Sequence, residues 1–159
     1  MTLKLTSSAF QHGGPIPSQY TCEGRDISPP IAWAGAPQNA KSFALIVDDP
    51  DAPDPAKPQR VYVHWVVYNI PTSVMSLSEN ASKAAMPAGA VQGKNDWGKQ
   101  EYGGPCPPVG DAPHRYVFTV HALDVEQLDV PANATAALVG FNMHHHLLGR
   151  ATLTGRYGR

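Results

Sequence analysis

Charge is scarce in this chain. Only 16% of its 159 residues are Asp, Glu, Lys or Arg, and the formal net charge is -1. With no basic block to neutralise phosphates, a nucleic-acid binder is excluded. Long apolar runs are missing too. Nothing approaches the roughly 20 residues of a membrane-spanning helix, and no amphipathic membrane helix is evident, so no stable membrane insertion is expected. The N-terminus, Met-Thr-Leu-Lys-Leu-Thr-Ser-Ser, lacks the apolar centre of a signal peptide, which points to a cytoplasmic protein. Cysteine is limited to Cys22 and Cys106, far apart and without metal-ligand spacing, so a zinc site is not expected. In a reducing compartment the two read as small buried thiols, with pairing across the fold or redox sensing as alternatives. No internal repeat is visible. Gly-x-Ser-x-Gly, Gly-x-Gly-x-x-Gly, the Walker loop and His-Glu-x-x-His are all absent, so no catalytic residue, metal or cofactor is assigned.

Proline and glycine are plentiful instead, at 16 and 14 residues. They concentrate in Tyr102–Tyr116, which carries four prolines and three glycines and cannot be regular structure. The segment runs into Val117-Phe-Thr-Val-His-Ala-Leu123, whose alternation marks a strand. His114 and Tyr116 stand two apart at its start, so they share a face, and Arg115 faces the other way. A rigid loop feeding two such side chains into a strand can build one wall of an anion pocket. It can equally be a plain Pro-rich connection.

The remaining pattern is also β. Leu3–Thr6 reads as an edge strand, Ile31–Trp33 as a short strand after Ser28-Pro-Pro30, and Ser42–Asp48 as a central apolar strand. The acids that follow, Asp48-Asp-Pro-Asp-Ala-Pro53, fit turn chemistry or carboxylates placed to orient a histidine or receive an ammonium. Val61–Ile70 is a long β-branched and aromatic strand with His64 in its middle. Simple alternation puts His64 on the face of Tyr62, Val66 and Tyr68, with Trp65 opposite. A lone strand histidine is in most cases a hydrogen-bonded core residue. Residues 72–101 are low in pattern, and Ala88–Gly98 within them reads as a long loop, with Asn95 and Asp96 able to order it through side-chain to backbone bonds.

One helix is expected, over Asn133–Gly149, with Leu138, Phe141, His145 and Leu148 on one face and Gly149 as its C-terminal cap. The His144-His-His146 run cannot converge on one metal ion, because adjacent helical side chains diverge by about 100°. Arg150–Tyr157 reads as a final strand. The expectation for residues 1–159 is a single mainly β domain of two packed sheets, with six to eight strands and a helix laid on one side.

Three stretches carry a resemblance over essentially the whole chain. Asp49-Pro-Asp-Ala-Pro53, His64-Trp-Val-Val-Tyr-Asn-Ile-Pro71 and Gly103-Gly-Pro-Cys-Pro-Pro-Val-Gly…His114-Arg-Tyr116 occur in the order and approximate spacing of the phosphatidylethanolamine-binding proteins, also called the Raf kinase inhibitor protein family. Tyr20-Thr-Cys-Glu-Gly24, Ser28-Pro-Pro30, Asn95-Asp96 and Leu153-Thr-Gly-Arg-Tyr157 match its bacterial YbhB/YbcL-type subgroup. The resemblance implies a β-sandwich with a small anion pocket at one end, formed here by Asp49, His64, Gly104, Pro105, His114 and Tyr116, with Asp51 beside them. Glycine-rich backbone donors, the Tyr116 hydroxyl and a histidine would hold a phosphoryl group. Asp49 would orient a histidine and raise its pKa, or receive an ammonium. Arg115 is expected in a structural ion pair. Cys106 and Asp111-Ala-Pro113 depart from the eukaryotic pattern around the rim. The implied function is binding of a small phosphorylated or anionic ligand, coupled to a regulated protein partner, and bacterial relatives suggest a homodimer. A protease- or kinase-inhibitor role, or an enzyme using the His and Asp as general acid and base, are the alternatives.

Overall fold

The computed structural model describes residues 2–159; Met1 lies outside the described residues. The frame is set by two long strands, Ser42–Ala52 (β3) and Arg60–Pro71 (β4), paired antiparallel. β3 is flanked on its other side by β7 (His114–Leu123), and β7 by β8 (Leu147–Tyr157), while β6 (Val91–Gln92) closes the sheet beside β4. A smaller sheet holds β1 (Lys4–Thr6), β2 (Ile31–Ala34) and β5 (Ser76–Leu77) in the order β1-β2-β5. Two packed antiparallel sheets make the fold mainly β, as the alternation implied.

Period-two patterning fills two cores. Leu5, Ile31, Trp33 and Leu77 of the small sheet, with Leu3 just before it, meet Phe43, Leu45, Val47, Trp65, Val67, Phe118 and Val120 of the large one. The other face of the large sheet buries Ala44, Val66 and Tyr68 under Val139 and Met143 of the helix α2 (Ala136–Met143). A short helix, α1 (Ala81–Ala84), precedes β6.

Several expectations are corrected. The helix is half the expected length. Thr135 caps its start by accepting from the Leu138 N–H at 3.2 Å, but regular helix ends at Met143. His146 donates to Asp124 Oδ1 at 2.8 Å, and β8 begins at Leu147, so Gly149 lies in a strand rather than at a cap. The exposed face is also different: Phe141 is 76% exposed, whereas Val139 and Met143 are buried. The acidic run is not a turn, because β3 continues through Asp48–Ala52. β5 and α1 lie within 72–87 and β6 lies within the expected loop 88–98, whose last turn is ordered by Asn95. Its amide oxygen accepts from the Trp97 and Lys99 N–H groups at 3.0 Å each, and its Nδ2 donates to the Glu101 carbonyl at 2.8 Å.

Candidate functional site

The site begins with a bulge. Val47 pairs with Trp65 but Asp48 pairs with Val63, so His64 is the extra residue on β4. That insertion changes the face of the residues that follow it, as far as a second register shift opposite Ala44. Tyr62 and His64 stay together on the inner side with Trp65, while Val66 and Tyr68 pass to the helix side. The simple alternation that grouped His64 with Val66 and Tyr68 is therefore corrected. β7 keeps its register, and the His114 and Tyr116 rings stack at 6.4 Å on one face.

Asp49, His64, His114 and Tyr116 line one cavity of about 470 Å³, together with Arg60, Tyr62, Trp97, Cys106, Pro107 and Pro108. Gly104 faces an adjoining cavity of about 200 Å³. Its N–H donates to Asp26 Oδ1 at 2.8 Å, the Gly103 N–H donates to the His64 carbonyl at 3.0 Å, and the Pro105 carbonyl accepts from the Cys22 N–H at 3.1 Å. The donors of the glycine pair are thus spent inside the protein. Glycine at 104 serves close packing, since a Cβ there would collide with the Tyr20 carbonyl and Asp26.

The two histidines have opposite electrostatics. His64 Nδ1 donates to the Gly103 carbonyl at 2.7 Å, which leaves Nε2 with a lone pair. Burial pushes its pKa below the ordinary value, against the opposing pull of that carbonyl and Asp49, so it is neutral at neutral pH. His114 Nδ1 lies 2.7 Å from Asp49 Oδ2 and its Nε2 lies 3.0 Å from Asp111 Oδ2. Burial works against its charge, but the bonds to Asp111 and Asp49 prevail and raise its pKa. In the protonated ring both nitrogens donate, one to each carboxylate. Asp49 also accepts from the Asp51 N–H through Oδ1 at 2.7 Å.

Asp51 and Arg115 form the frame around this pair. Arg115 Nη2 donates to Asp51 Oδ1 at 2.8 Å and Nε to Oδ2 at 3.0 Å, and the Arg115 N–H adds a bond of 2.8 Å. The ion pair faces away from Tyr116, as the strand period required, and it locks the end of β3 to the start of β7. The Arg115 bond holds the Asp51 carboxyl below the usual range. Asp48, on the opposite face of β3, is pushed up to about 6 by burial and then by the Asp49 charge.

Sequence reasoning missed Arg60 and Trp97. Arg60 stacks its guanidinium 4.9 Å from the Tyr62 centroid and pairs with Asp96 Oδ2 at 3.3 Å. Asp96 in turn accepts from the Val63 N–H at 2.8 Å, which ties the Asn95-turn to β4. Trp97 packs edge-on against His64 and Tyr62, each at 4.9 Å. The available signal was the Asn95-Asp96 pair immediately before Trp97. The expected unpaired thiols are also corrected, since Cys22 and Cys106 form a disulfide. Chain separation conceals that the turn around Thr21 folds onto the glycine-rich loop, bringing the two Cα atoms to 5.4 Å, within disulfide reach.

Residues 6–158 match the phosphatidylethanolamine-binding protein family. The chain belongs to that family. A UPF0098 protein of Methanothermobacter thermautotrophicus is 48% identical over 158 residues, covering 99% of both chains. The UPF0098 protein YbhB of Escherichia coli is 40% identical over 162 residues, covering 98% of this chain and 99% of its own length. The crystal structure of E. coli YbcL, described as a new member of the mammalian PEBP family, superposes with a TM-score of 0.91 at 38% identity, covering 100% of this chain and 99% of YbcL. Membership supports a ligand-binding protein of the phosphatidylethanolamine-binding type. No helix among the described residues is long and apolar enough to cross a membrane.

Proposed function

We propose that the chain binds a small phosphorylated or otherwise anionic ligand in the cavity of Asp49, Arg60, His64, His114 and Tyr116. The carrying observation is that one cavity of about 470 Å³ gathers a guanidinium, two phenols and two imidazoles. Arg60 supplies charge at every relevant pH and a planar fork suited to phosphate oxygens. Burial raises the Tyr116 pKa, so its hydroxyl stays protonated and can donate. His64 offers Nε2 as an acceptor to a protonated ligand oxygen. It becomes a donor once an anion's field raises its pKa. His114 carries charge when protonated, but its Nε2 is engaged by Asp111, so an incoming anion reaches it by displacing that carboxylate. The apolar walls of Trp97, Pro107 and Pro108 suit a phosphoryl group carrying an organic substituent.

General acid-base chemistry has less support. His114 has both nitrogens bonded to carboxylates, and His64 rests on a carbonyl. Calorimetric titration of phosphate and phosphoethanolamine from about pH 5.5 to about pH 8, across the histidine range, tests the reading. Binding should weaken as pH rises, and should be lost in His64→Ala and reduced in Tyr116→Phe and Arg60→Gln. A folded wild-type protein that takes up neither ligand would overturn it.

A further inference from the structure

The Cys22–Cys106 disulfide stands where the two cavities adjoin. Cys106 and Trp97 line both, and Cys22 lines the smaller one. Both cysteines are exposed, so a thiolate from solvent has access to sulfur.

The segments joined by this bond are also held without it. The Cys22 N–H donates to the Pro105 carbonyl at 3.1 Å, the Gly104 N–H to Asp26 Oδ1 at 2.8 Å, and the buried Tyr102 hydroxyl to the Tyr20 carbonyl at 2.8 Å. These contacts fix the loop as far as Pro105. Beyond it, Cys106, Pro107 and Pro108 form the wall of the larger cavity, and the two prolines have no N–H to bond with. This wall is attached at one end by the disulfide. At the other, the Pro107 carbonyl accepts from Arg159 Nε at 2.7 Å. Loss of the sulfur bond therefore removes one of the two attachments of the cavity wall, leaving the Arg159 bond, while the fold beneath it stays tied.

We propose that Cys22–Cys106 is a redox-modification site, taking a dithiol reductant, whose reduction resets the ligand cavity. A dithiol thiolate attacks one protein sulfur, breaking the S–S bond and forming a mixed disulfide, and the departing protein sulfur leaves as a thiolate that takes a proton. The second dithiol sulfur attacks the mixed disulfide and releases the other cysteine, which is protonated in turn. The protein gains two electrons and two protons, and the dithiol becomes a disulfide. The oxidised form, with its wall held in place, binds the ligand more tightly because less ordering is needed.

The effect on affinity rests on the anion-binding reading, whereas the movement of the wall is measurable without ligand. Dithiothreitol titration, thiol alkylation counted by mass, circular dichroism, histidine-ring NMR and phosphate calorimetry would be applied to the full chain. The expected result is two alkylated cysteines in a protein that keeps its β spectrum, shifted His64 and His114 ring resonances, and phosphate affinity lower by about five-fold. A Cys22→Ser, Cys106→Ser double variant should give the reduced-form values without reductant. Unchanged ring resonances with unchanged affinity overturn the proposal, as does reduction that occurs only with unfolding. Should phosphate bind neither form, the anion reading fails, and the ring resonances alone settle the redox site: shifted supports it, unshifted overturns it.

Discussion

Replacing Asp48 by asparagine is expected to stabilise this protein at neutral pH. Asp48 sits on β3 facing the helix-side core, and its carboxyl is pushed from 3.8 to about 6, mainly by burial and further by Asp49. Between those values the folded state holds more protons than the unfolded chain, so stability falls as pH rises. A gap of roughly two pKa units corresponds to about 3 kcal/mol, fully present above the folded value and absent below the unfolded one. Partial solvent exposure reduces this to about 2 kcal/mol. Asparagine keeps the shape without the charge. Urea unfolding at about pH 7.5 should show Asp48→Asn more stable by about 2 kcal/mol, with the two proteins within about 0.5 kcal/mol at pH 4. An equal gap at both pH values, or a more stable wild type at neutral pH, would refute the reasoning. A carbon-detected titration of Asp48 near pH 6 checks the cause directly.

Arg115→Gln should cost about 2 kcal/mol at pH 7, because it leaves the buried Asp51 carboxylate without its guanidinium, held by the backbone N–H of residue 115. Asp51 has a lowered folded pKa, so its contribution is present above the unfolded value and is lost as pH falls through the folded one; acid unfolding of the variant should begin at higher pH, with the difference vanishing in strong acid. Asp111→Asn removes one of the two carboxylates on His114. The His114 pKa should fall in an NMR titration, while phosphate affinity rises about ten-fold because the competing internal anion is gone; unchanged or weaker binding would count against Asp111 as a competitor. Gly103→Ala places a Cβ in the Trp97 ring. It should cost about 1–3 kcal/mol, shift tryptophan fluorescence and weaken ligand uptake, since Trp97 must leave its contacts with His64 and Tyr62.

Local chemistry made much of the frame legible before any coordinates. β-branched and aromatic runs announced β3 and β4, and the two-residue period correctly set His114 and Tyr116 against Arg115. The motif order gave the family, and with it the two-sheet fold and four of the cavity's lining residues. Tertiary structure determined the rest. The bulge at His64 is invisible in a hydrophobic pattern, because it arises from pairing with β3, yet it sends Val66 and Tyr68 to the face opposite His64, until a second register shift near Tyr68 returns Ile70 to the inner core. Helix length was overestimated for a related reason: the His146–Asp124 bond and β8 pairing compete with helical continuation, and both partners are distant in sequence. Arg60 entered the site from the first position of β4, and Trp97 and Asp111 entered it through loops whose path depends on contacts with β4 and His114. The meeting of Cys22 and Cys106 depends on how one turn lies on another. Side-chain period is a property of neighbours along the chain. Charge state, cavity walls and sulfur pairing are properties of neighbours in space.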